Sequence, residues 1–162
     1  MRRMGKSTLE FDRPPSILSH AAVGGKKEAE GPLGDQFDQT FGDTTLQADS
    51  WEKAEAQLQK EAVSIALKKA GLGPEGVDFI LAGDLLNQCI SSTFGLMDFQ
   101  VPFLGQYGAC STMAQTLLMA SILVESGAAG KALAVTSSHF CSAERQFRLP
   151  LEYGGQRAPP PP

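Results

Sequence analysis

Three cysteines, Cys89, Cys110 and Cys141, are all that this 162-residue chain contains, an odd number without any C-x-x-C pair. That argues against a disulfide framework and against a zinc knuckle, and the three read as thiols of a reducing compartment. Positive charge is also scarce: 14 basic against 18 acidic side chains leave a net charge of −4 and a pI near 5.2. With no surplus cation to neutralise a phosphate backbone, nucleic acid is not an expected partner. No apolar run approaches the roughly 18 residues of a bilayer-spanning helix. The basic start (Arg2, Arg3, Lys6) leads into polar residues, not into the apolar stretch of a signal peptide, so the expectation is a soluble, unexported protein. Phosphate-loop and dinucleotide glycine patterns are missing as well, because the glycine pairs lack a following Gly-Lys-Ser/Thr or a correctly spaced third glycine. What is present, 42% hydrophobic and 20% charged residues, suits one globular domain with a real core.

Residues 1–13 are polar and basic without periodicity, and read as an arm laid over a surface or as disordered chain, with order beginning near Pro14. Ile17 to Val23 is a short apolar run closed by Gly24-Gly25, the pattern of a buried strand ended by a turn. Residues 26–48 mix charged side chains with Gly31-Pro32, Gly34 and Gly42, and so long a structureless connection is usually functional or an interface. Asp49 and Glu52 have capping-box spacing, placing a helix start near Ser50. Trp51, Ala54, Leu58, Ala62 and Ile65 then recur at helical spacing as the buried face, Glu55 and Gln59 fall largely outside it, and Gly71 and Pro74 end it.

Val77 to Ala82 reads as a strand covered on both faces, with Gly83-Asp84 at its carboxyl end. A short helix is expected from Leu85 to about Ser91, and a strand from Pro102 to Ala109 that carries Gly105 and Gly108. Ser111 to Glu125 is helix-compatible and apolar almost all round, so this helix is expected to be central and buried. Ala132 to Ser137 reads as the last strand, and Cys141 to Phe147 as a helical turn. Alternating strands and helices give a layered α/β architecture with a mostly parallel sheet. Four prolines, Pro159 to Pro162, close the sequence, as a natural tail or as the mark of a chain cut short.

The sharpest chemical feature is Gly108-Ala109-Cys110-Ser111-Thr112, which sets a thiol between a strand and the first turn of a helix. Amides at a helix start point outward and carry partial positive charge, so a thiolate, an oxyanion or a carboxylate is stabilised there. The competing reading makes Cys110 a small space-filling residue. Asp84 lies just past the carboxyl end of a strand, where ligands of open α/β sheets bind, and with Asn87 it can line the same pocket; equally, it can cap the helix that follows. His139 follows the last strand and can reach the same edge, against the commoner role of a hydrogen-bonded structural histidine. His20 reads as core, Lys26 and Lys27 as a surface pair, and Asp35, Asp38 and Asp43 as a solvated face, since they lack calcium-loop spacing; no metal site is read.

Gln106 to Thr112, the helix behind it and the strand Ala132 to His139 resemble the nucleophile elbow and following strand of the thiolase superfamily, which includes ketoacyl synthases. More narrowly, Gly24 to Gly34, Ala82 to Gln88 and Phe147 to Arg157 resemble the stage V sporulation protein AD family. The resemblance implies a thiolase-like α-β-α half over 14–157, with a proline-rich tail at 158–162 and without the second half that supplies the partners of the cysteine. It implies a non-catalytic subunit that binds dipicolinic acid and takes part in its transport into the forming spore and its release during germination. Membrane-embedded stage V A proteins are the implied partners, a homodimer the full-length form, and the cytoplasm or the periphery of the inner spore membrane the location. No cofactor is implied, though calcium can accompany dipicolinate as its chelate. The ligand-binding set expected on this reading is Asp84, Asn87, Cys110, Ser111 and His139. Two alternatives stand beside it: a cysteine-dependent acyltransferase or condensing enzyme with Cys110 as nucleophile, and a truncated structural fragment.

Overall fold

Residues 1–85 and 89–139 are described by a computed structural model. In chain order they form β1 (Arg2–Met4), β2 (Thr8–Glu10), β3 (Val23–Gly24), α1 (Lys26–Ala29), β4 (Gln39–Thr40), α2 (Trp51–Ala70), β5 (Phe79–Gly83), α3 (Ile90–Leu96), β6 (Phe103–Gly105), α4 (Thr112–Glu125) and β7 (Ala132–Thr136). The expected helical turn at Cys141–Phe147 and the proline tail lie outside the described residues.

The main sheet has the order β6-β5-β7 and is parallel throughout, with Ile80 opposite both Phe103 and Leu133. The expected α/β class with a parallel sheet is therefore the observed one. Side chains alternate across a strand. Ile80 and Ala82 join Val63 and Leu67 of α2, Leu96 of α3 and Val135 of β7 in one apolar cluster. Gly83 points to the opposite face: a Cβ there would sit 2.8 Å from Thr112 Cγ2 at the start of α4.

Helix α2 starts where expected, but by another device. Ser50 is the N-cap, accepting from Lys53 N at 3.2 Å, while Asp49 forms an ion pair with Lys53 Nζ at 2.6 Å in place of the expected capping box. Gly71, at φ +67°, takes the left-handed conformation that closes the helix. The buried stripe is Ala54, Glu55, Gln59, Val63, Ala66 and Leu67, turned relative to the expected Trp51, Leu58, Ala62 and Ile65. Two polar residues belong to it, so apolar spacing alone misplaces its phase.

Several other expectations are corrected. The run from Ile17 to Val23 does not enter the main sheet: only Val23 and Gly24 form a strand, paired in parallel with β4. The preceding residues are tied to α2 instead, Ser19 Oγ donating to Ala66 O at 2.8 Å and Lys69 Nζ to His20 O at 3.0 Å. His20 is exposed, not core. Residues 26–48 hold α1, β4 and a turn of 3-10 helix at Gly34–Gln36. The short helix begins at Ile90 and not at Leu85, and of the run from Pro102 to Ala109 only Phe103–Gly105 is strand.

The first residues form an antiparallel hairpin about Gly5 (φ +62°), and it docks on the end of α4. Glu125 accepts from the Met1 ammonium at 3.1 Å and from Asp12 N at 2.9 Å. Burial would raise the Glu125 carboxyl, but these hydrogen bonds outweigh it and hold it below the usual range. Helix α4 is buried on one side only: Thr112, Thr116 and Ala120 are covered, while Met113, Leu117, Leu118 and Met119 are exposed.

Helices α2 and α3 touch backbone to side at Gly95, where a Cβ would lie 2.7 Å from Ala56 O and 2.9 Å from Ala56 Cα. Both obstacles are backbone, so Gly95→Ala forces the helices apart. The expected cost is about 1–3 kcal/mol, seen as a lower urea midpoint with an unchanged slope.

Candidate functional site

Because β5, β6 and β7 are parallel, the segments leaving their carboxyl ends share one edge of the sheet. Asp84 follows β5, Gln106 to Ser111 follow β6, and Ser137 to His139 follow β7. The first and last of these are joined below the surface. Asp84 is fully buried, and its Oδ2 accepts from Ser92 N at 2.8 Å and Ser92 Oγ at 2.6 Å. Gln59 Nε2 donates to Ser92 Oγ at 2.9 Å and to Ser137 Oγ at 2.6 Å, and Ser137 Oγ donates onward to Glu55 Oε1 at 2.6 Å. One amide group thus feeds two serines, and each serine passes a proton donor to a carboxylate. Gln59 Oε1 is buried without a hydrogen-bond partner.

This chain of bonds explains where α3 begins. Ser92 N is the third amide of the helix, one of the donors that a helix start leaves without an internal acceptor. Asp84 satisfies it from eight residues upstream, so the capping role weighed for Asp84 is the one its visible bonds perform, on a helix that starts later than expected. Sequence reasoning missed Glu55, Gln59, Ser92 and Ser137. A signal existed for the first two: Val63 and Leu67, followed back four residues at a time, lead to 59 and 55.

The β6 exit is a tight turn. Ala109 has φ +47°, Ser111 Oγ donates to Gly108 O at 2.6 Å, and Thr112 Oγ1 donates to Ala109 O at 2.8 Å while accepting from Gly108 N at 3.2 Å. A left-handed non-glycine residue here is strained backbone beside an exposed thiol, since Cys110 and Ser111 both face solvent. No side chain caps the start of α4; the 3-10 turn Ala109–Ser111 runs into it, and the Thr112 amide donates to Ala109 O. Gly83 lets this turn approach, as a Cβ there would lie 1.9 Å from Gln106 O.

His139 is committed elsewhere on the edge. Its Nε2 lies 2.7 Å from Thr44 O and its ring stacks on Trp51 with centroids 5.4 Å apart. A carbonyl oxygen only accepts, so Nε2 carries the proton of that bond. Cys110 and Ser111 therefore share one exposed turn, Asp84 lies inside, His139 packs over the start of α2, and Asn87 lies outside the described residues. Asp38 pairs with Lys69 at 2.5 Å, and Asp43 accepts from Thr45 and Gln47 within its own turn. Among the described residues no three His, Cys, Asp or Glu side chains gather as a metal site, and no helix is long and apolar enough to cross a membrane.

Two outcomes are expected of this site. Cys89 is buried, and desolvation followed by the Asp84 charge raises its thiol pKa, while Cys110 is exposed; brief iodoacetamide treatment should therefore label Cys110 well before Cys89, as ranked by mass spectrometry. Asp84→Ala removes the acceptor of two Ser92 bonds and should cost about 2–3 kcal/mol in denaturant unfolding. A loss below half a kilocalorie would show that the Asp84–Ser92 pair is not what holds α3.

Comparison with known proteins then places the chain. The family model described as stage V sporulation protein AD matches residues 5–161. A curated relative, stage V sporulation protein AD of Bacillus subtilis (strain 168), is 46% identical over 157 residues, covering 97% of this chain and 46% of its own length. The chain thus spans about half the length of that relative. Among solved structures, 3-oxoacyl-[acyl-carrier-protein] synthase III from Aquifex aeolicus VF5 is similar at 24% identity over 54% of this chain and 30% of its own, with a TM-score of 0.49. A family model that accounts for nearly every residue, with a relative this close over the same stretch, settles descent: the chain belongs to the stage V sporulation protein AD family.

Proposed function

We propose that this chain is part of a non-catalytic, thiolase-like sporulation subunit that binds dipicolinic acid. In this reading the subunit takes part in moving dipicolinate into the forming spore and in releasing it at germination, beside membrane-embedded stage V A proteins. The observation that carries it is the 46% identity to a stage V sporulation protein across 97% of the chain. Geometry supports the binding edge. The turn at Cys110 and Ser111 is open to solvent and stands at the positive end of the α4 dipole, a setting that favours a carboxylate. Dipicolinate carries a second carboxylate, and burying it without a donor or cation is costly, so calcium or a group beyond the described residues is the expected complement.

Asp84 serves this reading from within. Its Oδ2 is occupied by Ser92, so it holds α3 and the edge in place for the exposed turn. The acyltransferase alternative needs a base that takes the proton of the Cys110 thiol. His139 Nε2 donates to Thr44 O and its ring stacks on Trp51, so these contacts tie it to the start of α2 and the loop before it.

Calorimetry with dipicolinate, with and without calcium, tests the proposal on this chain and on the full-length Bacillus subtilis relative. The full-length protein should bind, this chain more weakly, and Ser111→Trp, which fills the turn, should weaken binding at least about tenfold, or about 1.4 kcal/mol. No heat from the full-length protein under either condition would end the ligand assignment. Acylation of Cys110 by acetyl or malonyl thioesters, followed by turnover, would hand the function to the acyltransferase reading.

A further inference from the structure

Helix α3 begins in an unusual way. Its N-cap, Cys89, has φ +53°, the left-handed region that a residue with a side chain enters only where its surroundings enforce it. An N-cap normally turns a side-chain oxygen back onto the second or third amide of its own helix. Cys89 makes no such bond and has no need to, because the third amide, Ser92 N, is taken by Asp84. The side chain is thereby released from its own helix and reaches across to β6. Its Sγ donates to Gln106 O at 3.3 Å and lies 3.9 Å from where a Cβ on Gly105 would stand.

That carbonyl has a particular place in the sheet. Gln106 N donates to Ala82 O at 2.8 Å, extending the parallel ladder of β5 and β6 by one rung. In such a ladder the carbonyl of the same residue turns back to the amide two residues further along the neighbouring strand, here Asp84. The Cys89 thiol stands at that position, with its hydrogen on Gln106 O and the Asp84 backbone hydrogen-bonded to its sulfur. Cys89 is only 7% exposed. Burial, followed by the Asp84 charge, raises its pKa, so the sulfur keeps the proton it donates. Two residues past Gln106 the chain enters the turn of Gly108 to Ser111, with the left-handed Ala109 and the exposed Cys110.

We propose that Cys89 is a positioning residue for that turn: wedged between the exits of β5 and β6, its thiol fixes the Gln106 carbonyl and so sets the path by which the chain reaches Cys110 and Ser111. Asp84 acts through the same link, holding the start of α3 with its carboxylate and, through Cys89, the exit of β6. The bearing on ligand binding rests on the reading of this turn as the carboxylate site; the bearing on the turn itself does not.

Two variants of the natural protein that carries this sequence separate the donor from the volume it fills. Cys89→Ser keeps a hydroxyl that can donate to Gln106 O, and Cys89→Ala removes the donor. Amide hydrogen exchange is read at Gln106, Gly108 and Ser111, whose amides are bonded in and around the turn, with α2 as the internal reference. Cys89→Ala should speed exchange at these three amides by about fivefold relative to α2, the size of one lost hydrogen bond, and Cys89→Ser should stay within about twofold of the parent. Calorimetry with dipicolinate should follow the same order, its dissociation constant raised about threefold by alanine and restored by serine. If the parent binds no dipicolinate, the ligand reading fails while the exchange comparison still decides the role of Cys89. Unchanged exchange in Cys89→Ala, a serine variant no better than the alanine, or an acceleration spread equally over α2 overturns the inference. Dipicolinate binding that alanine leaves unchanged overturns its bearing on the site.

Discussion

Everything at the carboxyl edge of the sheet depends on one buried chain of hydrogen bonds, from Asp84 through Ser92, Gln59 and Ser137 to Glu55. It joins the ends of β5 and β7 to the middle of α2 and the start of α3, elements far apart in sequence. Apolar packing is tolerant of small rotations, whereas a buried amide that must reach two hydroxyls at once is not. Gln59 therefore sets the rotation of α2, and Ser92 N sets where α3 begins. Leaving any member unpaired in the interior would cost about 1–3 kcal/mol, which makes the arrangement a condition of this fold more than a bonus to its stability.

That dependence also separates what could be read from the sequence from what could not. The strands Val77–Ala82 and Ala132–Ser137 were legible because full burial leaves an unbroken apolar run, and both appear within two residues of the observed bounds. The ends of α2 were legible because the Asp49 to Glu52 spacing and Gly71 mark helix termini, although Ser50 and not Asp49 makes the cap. Its buried face was not, since Glu55 and Gln59 look like solvent residues until Ser92 and Ser137, 33 and 78 residues beyond Gln59, arrive to satisfy them. The run from Ile17 to Val23 misled for a related reason: its composition suits a strand, but Ser19 and the carbonyl of His20 found partners on α2.

The site divides in the same manner. Cys110 was legible as a residue at a strand-to-helix turn, because two glycines and two hydroxyl residues announce tight backbone there, and Gly108 and Ser111 are indeed bonded across it. Asp84 was legible as a group at the carboxyl edge of the sheet, but its bonds to Ser92 depend on α3 starting late, and nothing local to Leu85 reveals that. His139 was legible only as a candidate. Its bond to Thr44 comes from the loop before α2, a connection whose sequence carries no periodicity to read, and its stacking partner Trp51 is the first residue of α2.

The two faces of the sheet consequently stand in opposite conditions. On the α2 and α3 side, apolar residues and the polar chain close the interior, and the helices touch as nearly as Gly95 allows. On the α4 side, the helix is held by Thr112, Thr116 and Ala120 beneath and by the Glu125 clamp at its end, while its outward side remains apolar. The turn that bears Cys110 sits at the start of that same helix. Whatever packs against α4 therefore also lies beside the turn.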